Sequence, residues 1–226
     1  MDVNNTVQSL GIYLPADYDK NASKPYKVIY VSHGGGGNEN DWYSQGGINN
    51  IMDNLIAQGK TKDAIVVTMN NAIYSNAERS WDFPKIADNM FKCIIPYMQK
   101  NYNISKEVND RAFCGLSMGS LTTCYMYQHY ASRFGYFGAF SGGLAGGKYF
   151  NLSSPDLKNA VFMIGSGEED MAYNTTEIGV PSFEKELDEK GIKYIPYFVT
   201  GSHDWYAWPQ LFTNFAENVL WSKDKK

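Results

Sequence analysis

Apolar positions along the chain fall into two alternating patterns: short runs rich in β-branched and aromatic residues, and stripes that repeat every three to four positions. Tyr26 to Val31 is a run of the first kind, stopped by His33 and four glycines, and predicts a buried strand ending in a tight loop. Ile48, Ile51, Met52, Leu55 and Ile56 form a stripe of the second kind, an amphipathic helix that Gly59 closes. Ala64 to Met69 predicts the next strand. From about Pro84 to Tyr102, the positions Ile86, Met90, Phe91, Ile94, Ile95 and Met98 predict a long helix that Pro96 should kink or end early. Further strands are predicted at Arg111 to Leu116, Tyr136 to Phe140, Ala160 to Ile164 and Tyr194 to Val199, with helices at Leu121 to Tyr130, Pro181 to Lys190 and Trp208 to Val219. Strand and helix alternating at this spacing call for right-handed crossovers, hence a mostly parallel central sheet with helices on both faces. No repeat, linker or shift in composition divides the chain, so residues 1–226 are expected to form a single α/β domain.

Composition narrows the function. A chain of 226 residues that is 43% hydrophobic can bury a sizeable core, yet no window approaches the roughly 18–20 apolar residues of a membrane span. The N-terminus lacks the basic-then-apolar profile of a secretory signal. These features predict a soluble chain with no membrane partner. A net charge of −4 with no Lys/Arg run argues against nucleic acid as a partner. Three cysteines without C-x-x-C spacing and three scattered histidines give neither a disulfide framework nor a recognisable metal site, and no cofactor is expected. Asn21, Asn103, Asn151 and Asn174 match N-x-[ST], a pattern an Asn-rich chain generates by chance. Aromatic residues, at 15%, are abundant, and some fall in Gly/Asn-rich stretches beside the candidate chemistry described next.

Gly115-Leu116-Ser117-Met118-Gly119 matches G-x-S-x-G between a predicted strand and a predicted helix, the context in which the motif forms a nucleophile elbow. A serine hydroxyl needs a base within hydrogen-bond reach, and the base needs an acid to orient it. His203, in the loop between the last strand and the last helix, can return to Ser117; His129 is carried away along the helix that leaves the serine and reads as a surface or packing residue. Glu168, Glu169 and Asp170 follow a strand and compete as the acid. Asp170 is preferred, and Asp204 is disfavoured by its adjacency to His203. His33-Gly34-Gly35-Gly36-Gly37 ends an early strand, where the N–H of Gly35 can join that of Met118 in an oxyanion hole; each such donor is worth on the order of 3 kcal/mol. The glycine run carries neither phosphate-loop fingerprint. Trp42, Trp205 and Trp208 lie close in sequence to these groups and are candidate substrate-binding rings, against the alternative that they pack the core.

The blocks His33 to Trp42, Gly115 to Gly119, Gly167 to Asp170 and Gly201 to Trp205, together with Ile12-Tyr13-Leu14-Pro15, resemble those of carbohydrate esterase family 1, which comprises feruloyl and acetylxylan esterases in the esterase D-like set of α/β-hydrolases. The likeness runs from about Ile12 to Trp208; Ser120 departs from it, standing where many relatives have glycine. The resemblance implies an α/β-hydrolase fold, a Ser117–Asp170–His203 triad and an oxyanion hole from Met118 and Gly35. It implies hydrolysis of feruloyl or related hydroxycinnamate esters on plant polysaccharide such as arabinoxylan; the alternatives are an acetylxylan esterase or a general short-acyl esterase and, outside enzymes, a carbohydrate-binding module or a catalytically inactive hydrolase-fold protein. A polymer substrate implies export, with the signal outside this sequence; a cytoplasmic location is the alternative.

Overall fold

Six of the apolar runs described above form one sheet, joined by a seventh strand that the pattern did not predict, in the computed structural model, which describes residues 1–71, 74, 81–171 and 176–225; Asn174 lies outside them. The strands are β1 (Leu10–Tyr13), β2 (Lys27–Ser32), β3 (Ala64–Met69), β4 (Arg111–Leu116), β5 (Tyr136–Phe140), β6 (Val161–Gly167) and β7 (Ile195–Val199). Their order is β1-β3-β2-β4-β5-β6-β7, with β1 antiparallel to β3 and every other pairing parallel. Such a sheet must be covered on both faces, and β2, β3, β4 and β5 are buried along their whole length.

Alternation along each strand divides the core in two. Val28, Tyr30, Ile65, Val67 and Phe113 face α3 (Phe83–Asn89), α4 (Ile95–Asn101), α5 (Met118–Tyr130) and α6 (Val180–Glu189). Ile29, Val31, Val66, Ala112 and Cys114 face α1 (Asp41–Ser44), α2 (Ile48–Ala57) and α7 (Trp208–Asn214). The mostly parallel α/β-hydrolase architecture expected from the sequence is thus the one observed. No helix among the described residues is long and apolar enough to cross a membrane.

Pro96 does not end its helix. Helical backbone runs from Phe83 to Asn101, with a π turn over Met90–Ile94 immediately before the proline. There Ile95 N–H bonds to Met90 O, and this wider register absorbs the position whose N–H is missing. A second π turn, Phe215–Val219, continues α7. Burial pushes the Cys114 thiol well up and that of Cys124 to about 12, which leaves both inert.

Candidate active site

Ser117 sits between the end of β4 and the first residue of α5 with φ +53° and ψ −117°, a conformation that costs a residue with a Cβ about 1–3 kcal/mol. Its backbone is held at both ends: its N–H donates to Phe140 O at 2.9 Å, and its carbonyl accepts from Ser120 N and Leu121 N at 2.9 and 3.1 Å. The motif glycines allow α5 to approach β2. A Cβ on Gly119 would lie 2.5 Å from His33 O, and one on Gly115 2.7 Å from Gly119 O. The serine hydroxyl therefore projects from a turn that the sequence makes tight.

His203 reaches that hydroxyl from the loop between β7 and α7. Its Nε2 lies 2.8 Å from Ser117 Oγ and its Nδ1 2.8 Å from Asp170 Oδ1. With Asp170 as the carboxylate acceptor, Nδ1 carries the proton and Nε2 is the acceptor facing the serine. Asp170 is buried whereas Glu168 and Glu169 are exposed, so of the three competing carboxylates it is Asp170 that meets the imidazole. Glu168 N–H donates to Val199 O and Glu169 N–H to Gly201 O, at 2.8 and 3.0 Å, tying the turn that carries the acid to the loop that carries the base. Asp204 turns away from the imidazole, and its Oδ1 accepts from Tyr206 N and Ala207 N to fix the entry to α7. His129 is exposed at the far end of α5, its Nε2 2.8 Å from Tyr149 O.

The glycine loop lies against the elbow. A Cβ on Gly34 would come 3.3 Å from Ser117 Cβ, and one on Gly35 3.3 Å from Met118 Cγ. Gly37 N–H closes a turn onto Gly34 O at 3.2 Å, with Gly36 at φ +75°. As the first residue of α5, Met118 has an N–H with no acceptor inside its own helix, at the electropositive end of the helix. The two N–H groups singled out in the sequence thus belong to neighbouring backbone beside Ser117. Two histidine contacts pin the loop. Buried His33 donates from Nδ1 to Gly34 O at 2.6 Å and accepts at Nε2 from Asn71 N–H at 3.0 Å. Nothing in the sequence marks Asn71 for that part, since its contact joins two loops far apart along the chain.

The tryptophans divide. Trp42 is 1% exposed, donates from Nε1 to Ser32 O at 3.1 Å and packs among Phe140, Trp205 and Phe212. Its expected place against substrate is therefore corrected: no face of the ring is left for one. Trp208 is also buried, and its ring stands against His203 instead of lining a binding surface, a second correction. Trp205 is half-buried, leaning on Trp42 and Trp208, and a Cβ on Gly46 would lie 2.9 Å from its ring.

The chain is similar to known esterases. A family model described as "Putative esterase" matches residues 5–217. An endo-1,4-beta-xylanase/feruloyl esterase of Xylanibacter ruminicola is 28% identical over 222 residues, which are 95% of this chain and 29% of the relative. The chain thus spans under a third of that curated relative's length. Among solved structures, a ferulic acid esterase superposes with a TM-score of 0.83 at 22% identity, covering 96% of this chain and 94% of the other. A CE1 ferulic acid esterase from Anaeromyces mucronatus, in complex with ferulic acid, superposes with a TM-score of 0.77 at 26% identity, covering 93% and 84%.

Proposed function

The chain is a carboxylic ester hydrolase that belongs to the esterase family, in the carbohydrate esterase family 1 group, and on that premise we propose that it removes ester-linked hydroxycinnamate from plant polysaccharide through an acyl-enzyme on Ser117. The observation that carries the mechanism is the unbroken relay Ser117 Oγ–His203–Asp170, 2.8 Å at each step. Ser117 Oγ attacks the ester carbonyl as its proton passes to His203 Nε2, and the buried Asp170 carboxylate stabilises the imidazolium. The N–H groups of Met118 and Gly35 take up the oxyanion. His203 returns the proton to the departing sugar oxygen, and the C–O bond breaks. Water then attacks the acyl-serine, losing its proton to the same nitrogen; the acyl C–Oγ bond breaks as that proton passes on to Ser117 Oγ, and the acid leaves. No cofactor enters these steps.

The substrate class draws support from the relatives, which are described as feruloyl and ferulic acid esterases. Trp205, half-buried where Trp42 and Trp208 are buried, is proposed to flank the aromatic acyl group. A polymeric substrate goes with action outside the cell.

Ser117→Ala should lower kcat for methyl ferulate by more than about 1,000-fold with the fold intact. Asp170→Asn should cost about 1,000- to 10,000-fold through loss of the correct tautomer, while Glu169→Gln stays near wild type. A disabling Glu169→Gln beside a mild Asp170→Asn would reverse the choice of acid. Rates on methyl ferulate, 4-nitrophenyl acetate and acetylated xylan at matched concentrations test the acyl group: a chain that deacetylates xylan but ignores methyl ferulate would keep the serine mechanism and lose the hydroxycinnamate assignment.

A further inference from the structure

The end of β5 and the start of α7 share a side-chain hydrogen bond that the steps above do not use. Ser141 follows β5 with φ at +63°, a region where a residue with a Cβ is uncommon and glycine is at ease. Its N–H donates to Gly165 O at 2.7 Å, and its buried Oγ accepts from Trp208 Nε1 at 2.9 Å. Glycine at 141 would relieve the backbone and lose that acceptor. The Trp208 ring, so anchored, stands perpendicular to the His203 imidazole, with centroids 5.2 Å apart. The preceding residue, Phe140, accepts the Ser117 N–H. Two successive residues at the end of β5 therefore reach the nucleophile through backbone and the base through Trp208.

We infer that Trp208, fastened by Ser141, is a positioning residue that sets the plane of the His203 ring. Asp170 holds Nδ1 and Ser117 Oγ meets Nε2, but contacts at two ring atoms still let the imidazole rock about the line that joins them, because the terminal torsion of histidine is soft. An aromatic wall removes that freedom, provided the wall is itself fixed. The hydrogen bond to Ser141 fixes it, and a phenyl ring in the same place has no N–H to be held by. Proton transfer between Ser117 and His203 depends on alignment, so the contact acts on the rate and leaves substrate affinity alone.

This inference rests on the serine mechanism proposed above, and the test separates the two. Trp208→Phe and Ser141→Ala are each expected to lower kcat on 4-nitrophenyl acetate about 10-fold, with KM within about twofold. The double variant should be no slower than Trp208→Phe alone, because both changes break one linkage. In proton NMR, the downfield resonance of the His203 Nδ1–H bonded to Asp170 should broaden in both. If Trp208→Phe does not fold, Ser141→Ala, which removes a single atom, carries the test. Folded variants with wild-type kcat, or losses that multiply in the double variant, overturn the inference while an inactive Ser117→Ala keeps the mechanism. An active Ser117→Ala would overturn the mechanism itself.

Discussion

His33 is buried with both ring nitrogens engaged, which suits the neutral imidazole alone. Burial is the main cause that holds its pKa below the ordinary 6.5; Gly34 O, Asp41 and Glu39 pull the other way and do not prevail. The unfolded chain takes up this proton near pH 6.5 while the folded one resists it, so falling pH favours unfolding. The stability linked to His33 is therefore complete above about pH 6.5 and drains away as the pH drops below it. His33→Gln, which stays neutral, should flatten the fall in Tm between pH 7 and pH 5; an equally steep fall would place the acid sensitivity elsewhere. At this scale the sequence is legible where chemistry restricts the choice. Ser117 and His203 stand out by motif and position. Burial is less visible: Trp42 and Trp205 look alike as letters, and only packing against Phe140 and Phe212 shows which ring is enclosed.

Between elements, α5 lies tight against the end of β2 at Gly119, where an added methyl group would meet His33 O and Ser32 O. Backbone cannot swing aside as a side chain can. Gly119→Ala should destabilise by about 1–3 kcal/mol in urea unfolding and also lower kcat, since α5 begins with Met118 directly after Ser117. Unchanged stability would mean that the helix shifts freely. The ends of β3, β4 and β5 can be read to the residue, because apolar runs there meet turn residues abruptly. The first turn of α5 is hidden, as the apolar stripe begins only at Leu121. β1 is hidden for a different reason: four residues, three of them half-buried and one of those Gly11, carry little signal, and its identity comes from antiparallel pairing with β3, more than fifty positions away. The π turn ahead of Pro96 has no local signature, since a proline in a helical stripe reads as a stop until the neighbouring turn is seen to widen.

Across the whole molecule, the edge of the sheet opposite the serine is fastened by Lys27, the first residue of β2. Its buried Nζ pairs with Asp110, just before β4, and with Asp224 at 2.9 Å, and lies 4.7 Å from the Trp221 ring. Burial is the largest single influence on Lys27 and Asp110 and works against both charges, but the hydrogen bonds and charges of Asp110 and Asp224 together raise the pKa of the lysine, and those of Lys27, with the Ser105 hydrogen bond, together lower that of the aspartate. The contribution holds across neutral pH, fading as acid approaches the depressed value of Asp110 and as alkali approaches the raised value of Lys27. Lys27→Met should cost about 1.5–3 kcal/mol at pH 7, read from the urea midpoint, with kcat unchanged. A matching fall in kcat would show that the two edges of the sheet are coupled.

The relay from Ser117 to His203 joins positions 86 residues apart, and the later one follows the last strand of the sheet. A ribosome adding about 5–20 residues per second releases the serine roughly 4–17 s before the histidine exists. For that interval the strained elbow has no base and its hydroxyl is chemically ordinary. On the proposed mechanism, reactivity therefore waits for the segment that carries β7 and α7, and a nascent chain that ends before His203 holds no competent nucleophile.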